Sequence, residues 1–434
     1  MELLKRFFRF VIPSIVSMWI FSLYTIVDGL FVAHGVGDHA LAAVNLSMPF
    51  TSLVFTLGIL LATGTSTVIA ISLGQKDLER ARNYFNQNLV VTALVSLLLG
   101  GLVLLNLERI ALLLGATPST LLYVKEYVGT IAVFAPFFTI SYNLEVQVKA
   151  NGAPHISSIG VTSCGLMNVL LDYIFVMHFH WGVWGAALAT GLSQVTSTTV
   201  FVLYFLKHKE RLRFSRFKPE LRVYRRILPL GVSDGLGELS NGLVIFLFNQ
   251  VILSVLGEDA IVTYTIISYV NTLVLMTMIG TAQGLQPLAS FHKGAGEIHI
   301  CHRLLRYALL LTTALSLVCF LGVELGAPGI VNLFLEEGSP LIAGSIHALR
   351  LYAVGFAILG FNVVLAAFFT AMERPSYAFP ISIGRSLVLM AASLFTMAAL
   401  FGGDGIWLSS TVSEGLCLLL SLFFLFRYRK SLRS

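Results

Sequence analysis

Charge is the scarcest ingredient of this chain: only 12% of its residues are Asp, Glu, Lys or Arg, against roughly a quarter in soluble domains. So few charges cannot clothe a globule in water, and a mean hydropathy of +0.85 excludes a soluble enzyme or a disordered binding protein. Cysteine is nearly as rare, with four in 434 residues. Cys164, Cys319 and Cys417 fall inside apolar runs and Cys301 beside a basic loop, with no metal-ligand spacing, so packing is the expected role. No HExxH pair, Walker loop or CxxC pair is present, and no Gly-x-Ser-x-Gly stands in the strand–turn–helix context of a nucleophile elbow. An enzyme is not expected. Without a nucleotide fold, any transport would have to draw on an ion gradient. No secretory signal is read at the start either, because the opening apolar run is too long and lacks a small-residue cleavage site.

What is present is apolar length. Hydrophobic residues make up 56% of the chain, in about 12 runs long enough to cross a bilayer as helices. The fold class expected is an all-α polytopic membrane protein. With an even number of spans both termini share a side, and all but Arg109, Lys125 and Arg350 of the 28 basic residues fall on it. That bias makes the basic side, and both termini, cytoplasmic in a cell membrane. The excess then faces anionic lipid headgroups, with no nucleic acid required.

An internal repeat organises the spans. Residues 36–74 align without a gap on residues 256–294 at a shift of 220, matching Gly37, Ala40, Leu53, Val54, Ile59, Ala62, Gly64 and Gly74 with their counterparts. Further landmarks follow in order: Pro13 with Pro229, Asn143 with Asn362, Pro154 with Pro375, and Gly182-Val-Trp with Gly405-Ile-Trp. Two six-helix lobes, 1–206 and 227–434, are expected around a pseudo-two-fold along the membrane normal, joined by a basic linker over 207–226.

Two aspartates break the apolar pattern. Asp28 lies in the run Phe10–Ala33 and Asp172 in Ser157–His178, both roughly 9 Å below the outer boundary. A carboxylate in a span is costly and is expected to face a protein-lined cavity. Asn168 shares a helical face with Asp172, and Thr190 reaches a similar depth from the next span. These oxygens suit a hard cation such as Na+ or a shared proton, because adjacent carboxylates in low dielectric resist ionising together. Neither aspartate has an acidic counterpart in the second repeat, which argues against a mere packing role. Glu238, Glu414, Asn45 and Gln283 are further candidates for a substrate cavity. Arg385 is placed near the inner end of its span, and Glu145 near a cytoplasmic end beside Lys149 as a solvated or paired carboxylate.

Here a resemblance becomes specific. The segments Val27-Asp-Gly-Leu-Phe-Val, Asn168-Val-Leu-Leu-Asp-Tyr-Ile-Phe and Gly182-Val-Trp-Gly-Ala-Ala-Leu-Ala-Thr190 resemble those of the multidrug and toxic compound extrusion (MATE) family, as do Gly405-Ile-Trp and Glu414. The resemblance implies a secondary antiporter for organic cations, with Asp28, Asn168, Asp172 and Thr190 as the cation or proton site. It also places Glu238 where some members use a seventh-span glutamate. No cofactor is implied, the coupling ion being H+ or Na+; the partners would be cationic drugs or dyes and membrane lipids, bound by a monomer. The alternative is a flippase for lipid-linked substrates. That would call for cationic residues in the cavity, whereas the spans hold mainly acids.

Overall fold

The computed structural model describes residues 2–36, 38–336 and 338–432; Gly37, one of the repeat and motif positions, lies outside them. Its helices are α1 (Glu2–Gly35), α2 (Asp38–Gly74), α3 (Leu78–Leu105), α4 (Leu107–Leu113), α5 (Leu121–Ala150), α6 (Pro154–Asp172) and α7 (Gly182–Lys207), then α8 (Tyr224–Val255), α9 (Asp259–Gly294), α10 (Ile298–Asn332), α11 (Ile342–Ala353), α12 (Phe356–Ala371), α13 (Pro375–Ile383) and α14 (Leu389–Ser431). Among the described residues there is no strand. An apolar backbone in lipid must satisfy its own hydrogen bonds, and helices do so within each segment.

Among the described residues, eleven continuous helical runs are long and apolar enough to span. The last, Pro375–Ser431, has 57 residues, roughly 85 Å at 1.5 Å per residue and far too long for one crossing. It doubles back at Gly402, where φ is 59°. Beyond the bend, a Cβ on Gly405 would collide with the Met397 carbonyl. The run therefore crosses twice, and the twelve spans expected are twelve crossings. The Gly231-Val-Ser-Asp-Gly string lies mid-helix in α8, its glycines packed against the Leu60 and Thr56 region of α2. It forms no elbow.

The repeat appears as mirrored contacts. A Cβ on Gly74 would strike the Phe291 carbonyl, and one on Gly294 the Ile71 carbonyl. These are one contact and its image under the shift of 220. Gly231 against Leu60 likewise answers Gly280 against Ile15, and Gly64 against Ile227 answers Gly284 against Val11. The two halves are thus parallel copies about a two-fold axis, the arrangement an even number of spans demands.

The halves meet at one end only. On the basic side, one hydrophobic cluster joins Phe7, Val11 and Ile15 to Leu285, Leu304 and Phe368. Another joins Ile69 and Leu73 to Val223, Ile227 and Leu230. Toward the opposite side the clusters separate: Val32, Val44, Val128 and Val183 pack in one half, Phe248, Tyr264, Phe356 and Trp407 in the other. The cleft between the halves opens away from the basic side.

The connecting segment differs from a loose basic linker. A short 3-10 turn over Leu221–Val223 leads directly into α8, so helix begins inside the expected 207–226 stretch. The residues before it are fastened to α3 through side-chain amides that both give and take backbone bonds. Asn83 donates to the Lys218 carbonyl (3.0 Å) and accepts from its N–H (2.7 Å); Gln87 does the same with Glu220 (3.2 and 2.8 Å). Asn86 donates to the Arg213 carbonyl (2.9 Å) and accepts from the Ser215 N–H (3.0 Å). In the second half, Glu373 (between α12 and α13) takes Lys293 and Arg226, each at 2.6 Å. Burial alone would raise the Glu373 carboxyl, but these two cations outweigh it and hold it below the usual carboxylate range.

Candidate functional site

Asp28 is half-buried on α1 and Asp172 is fully buried at the end of α6. The two carboxylates and Asn168 come within interaction reach of one another. Asn168 lies one turn before Asp172, and its amide reaches the Thr190 hydroxyl on α7 at 3.5 Å. The four residues singled out from sequence therefore converge inside the first half, roughly 20 Å along α1 from the seal at Ile15.

What distinguishes the cluster is how many of its acceptors are left without a donor. Among the described residues, Asp28 Oδ1, both carboxylate oxygens of Asp172 and Asn168 Oδ1 are buried with no hydrogen-bond partner. A buried acceptor without a donor costs about 1–3 kcal/mol, and more when charged. Four such oxygens together offer acceptors of the kind a shared proton or a small hard cation takes. Among the described residues no group of three His, Cys, Asp or Glu converges, which leaves oxygen ligands of mixed type at this site. Immediately after Asp172 the helix widens into a π turn over Tyr173–His178, a local feature frequent at functional sites.

Two tyrosines border the acids and were not singled out from sequence. Tyr24, one turn before Asp28, and Tyr127 of α5 lie buried within electrostatic range of the acids. The first was legible in its spacing from Asp28. The second comes from a helix a hundred residues away and had no local signal.

The remaining candidates scatter. Asn45 is exposed on α2 and Glu238 half-buried on α8, neither with a hydrogen-bonded or ion-paired side chain among the described residues. Asp234, one turn before Glu238 and also half-buried, was passed over in the sequence although its spacing puts both acids on one face. Gln283 bridges the halves, accepting from Lys149 at 2.6 Å. Lys149 also pairs with Glu145 at 2.8 Å, and Glu145 accepts from Ser157 at 2.9 Å. Glu145 is 6% exposed and Lys149 2%, so the pair is not solvated but sits inside the seal. Glu414 does not face open space: it is 1% exposed and holds Arg385 at 3.2 Å and the Asn362 amide at 2.7 Å. Arg385 is accordingly an interior cation, carried by the π turn at Gly384–Val388 rather than lying free at a helix end.

A two-fold pair of six-span bundles with an acid site in one bundle defines the class: a polytopic membrane protein of the transporter type. The MatE family pattern matches residues 13–174 and 240–396, and the chain belongs to that family. It is 26% identical to the multidrug export protein MepA of Staphylococcus aureus (strain bovine RF122 / ET3-1), over 99% of this chain and 94% of that one. It is 24% identical to the MepA of Staphylococcus haemolyticus (strain JCSC1435), over 99% and 95%. Among solved structures, a MATE protein in complex with MaL6 superposes with a TM-score of 0.94 at 22% identity, covering 100% of this chain and 98% of that one. An outward-facing multidrug resistance MATE transporter of the MOP superfamily superposes equally well, at 22% identity and covering 100% and 97%. These likenesses fix the fold.

Proposed function

We propose that this protein exports amphipathic organic cations across the cell membrane in exchange for a proton or a sodium ion, by alternating access of two lobes. The observation that carries this reading is the cluster of unpartnered buried oxygens at Asp28, Asp172 and Asn168. An ion bound there neutralises the pair and changes which packing of the first lobe is favoured. The moving bodies are residues 1–206 and 227–434, with 207–226 between them. The basic side is cytoplasmic, so the conformation described is open to the outside. The name of the staphylococcal relatives, multidrug export protein, supports the cargo class. So does the chemistry of the spans: Asp28, Asp172, Asp234 and Glu238 attract cations, whereas the interior arginine, Arg385, is neutralised by Glu414. That neutralisation also weakens the flippase alternative, which needs a free cation in the cavity. The protein works as a monomer with no bound cofactor and no nucleic acid.

The test is efflux of a cationic dye from proteoliposomes under a pH gradient and, separately, a sodium gradient. Wild-type protein is expected to respond to one of them, and Asp28→Asn and Asp172→Asn to neither, with insertion unchanged. Wild-type efflux by Asp172→Asn refutes the coupling role.

A further inference from the structure

On the basic side each half carries a cavity remote from the acid site. One, of about 320 Å³, is lined by Phe205, Leu206, Lys209, Arg213, Phe214 and Ser215. The other, of about 280 Å³, is lined by His302, Arg306, Thr313 and Arg429 with Leu305, Leu309 and Leu310. Both reach the basic-side end of the last span of their half. Leu206 and Arg429 close the last span of each half, related by the shift of 223 that pairs Gly182 with Gly405. Phe85, packed on Phe205 and Phe214, corresponds to Leu305 under the shift of 220. The second cavity is thus the groove between the third and last spans of its half, and the first lies between the end of α7 and the connecting segment over 209–215.

We infer that each groove holds the phosphate headgroup of one anionic phospholipid, with the start of its acyl chains along the apolar wall. Each mouth brings two cations together, Lys209 with Arg213 and Arg306 with Arg429. Among the described residues none of the four has a carboxylate within ion-pair distance. Like charges gathered without a counter-ion repel, and a phosphate placed between them reverses the sign of that energy. In the second groove His302 Nε2 is also buried without a partner. The wall selects a lipid over a free anion: Leu206 is 48% exposed and Leu310 59%, surface that inorganic phosphate would leave bare. The first groove is also rigid. Besides the α3 amides, Arg82 gives its guanidinium to the carbonyls of Arg211 (2.6 Å) and Glu210 (2.8 Å), holding Lys209 and Arg213 in place. Basic pockets between spans on the cytoplasmic side suit such headgroups. The inference needs only the membrane-embedded fold, so it stands or falls separately from the transport reading.

The experiment is native mass spectrometry of the delipidated full-length protein, incubated with phosphatidylglycerol or with phosphatidylcholine of the same chain length. About two phosphatidylglycerol molecules should be retained and no phosphatidylcholine. Lys209→Ala/Arg213→Ala and Arg306→Ala/Arg429→Ala should each lose one. Lys5→Ala/Arg9→Ala, which removes two exposed cations outside both grooves, should lose none. Single alanine variants at Lys209 and Arg306 serve where a double variant melts early in lipid-free detergent. Equal retention of both lipids, equal loss in the Lys5/Arg9 control, or retention untouched by the groove variants overturns the assignment. Displacement by inorganic phosphate at lipid-equivalent concentration would identify a free anion instead and overturn it as well.

Discussion

Gly74 and Gly294 lie where the basic-side ends of α2 and α9 cross, and each admits the backbone carbonyl of the other helix. A methyl at Gly74 would collide with the Phe291 carbonyl and stand 2.8 Å from the Ala295 nitrogen; at Gly294 it would collide with the Ile71 carbonyl and stand 2.8 Å from the Ile71 Cα. The obstructing atoms are main chain, so no rotamer change relieves them, and overpacking of this kind costs about 1–3 kcal/mol. The cost falls only on the conformation in which the helices touch. Gly74→Ala should therefore shift the balance toward the state with this end open by roughly 5- to 150-fold. Because the contacts are two-fold images, Gly294→Ala should shift it by about the same amount. The assay is maleimide labelling of Thr67→Cys in proteoliposomes, with the four native cysteines replaced. Thr67 is 1% exposed and meets Gln286 across the seam at 3.1 Å, so it reacts only when the seam parts. Unchanged labelling in both variants, or a large effect in only one, refutes the reasoning.

Further outcomes follow from particular groups. Asp172→Asn removes a carboxylate whose oxygens meet no donor, so the ion-free protein should gain roughly 1–3 kcal/mol while losing coupling; a lower melting temperature in ion-free detergent counts against the orphaned-acid reading. Glu414→Gln strands Arg385 inside the second half and should cost about 3–5 kcal/mol, with Glu414→Leu/Arg385→Met recovering most of it, read by denaturation midpoints. Glu373 is depressed by Lys293 and Arg226, so its contribution is present above the unfolded carboxylate range and fades as pH falls through the lower folded value. Glu373→Gln should accordingly cost roughly 1–2 kcal/mol at pH 7 and progressively less as pH falls through the lowered folded value, read in melts across the acid range. Asn86→Ala should speed hydrogen exchange over residues 213–215 without unfolding α3; unaltered exchange would mean the strap does not depend on that amide.

Much of this protein is written locally. Apolar runs specify spans because a bilayer fixes the length a helix must have. The repeat specifies parallel copies because an even number of crossings returns the chain to its starting side. Asn168 and Asp172 share a face by spacing alone, and the motifs around Asp28, Asp172 and Thr190 carried the family. Other features depend on which helices become neighbours, and no local pattern encodes that. Glu414 reads as a cavity acid along its own helix, yet Arg385 and Asn362 arrive from two other segments and neutralise it. Glu145 reads from its spacing as a solvated or Lys149-paired acid; that the pair is buried, against Gln283 of the other half, only the packing decides. The linker's basic residues are obvious in the sequence. Its fastening to α3 is not, because the amides that hold it lie more than 120 residues earlier and bond to backbone atoms that every residue possesses. Tertiary packing decided which charges neutralise each other and which carboxylate oxygens stay buried without a donor.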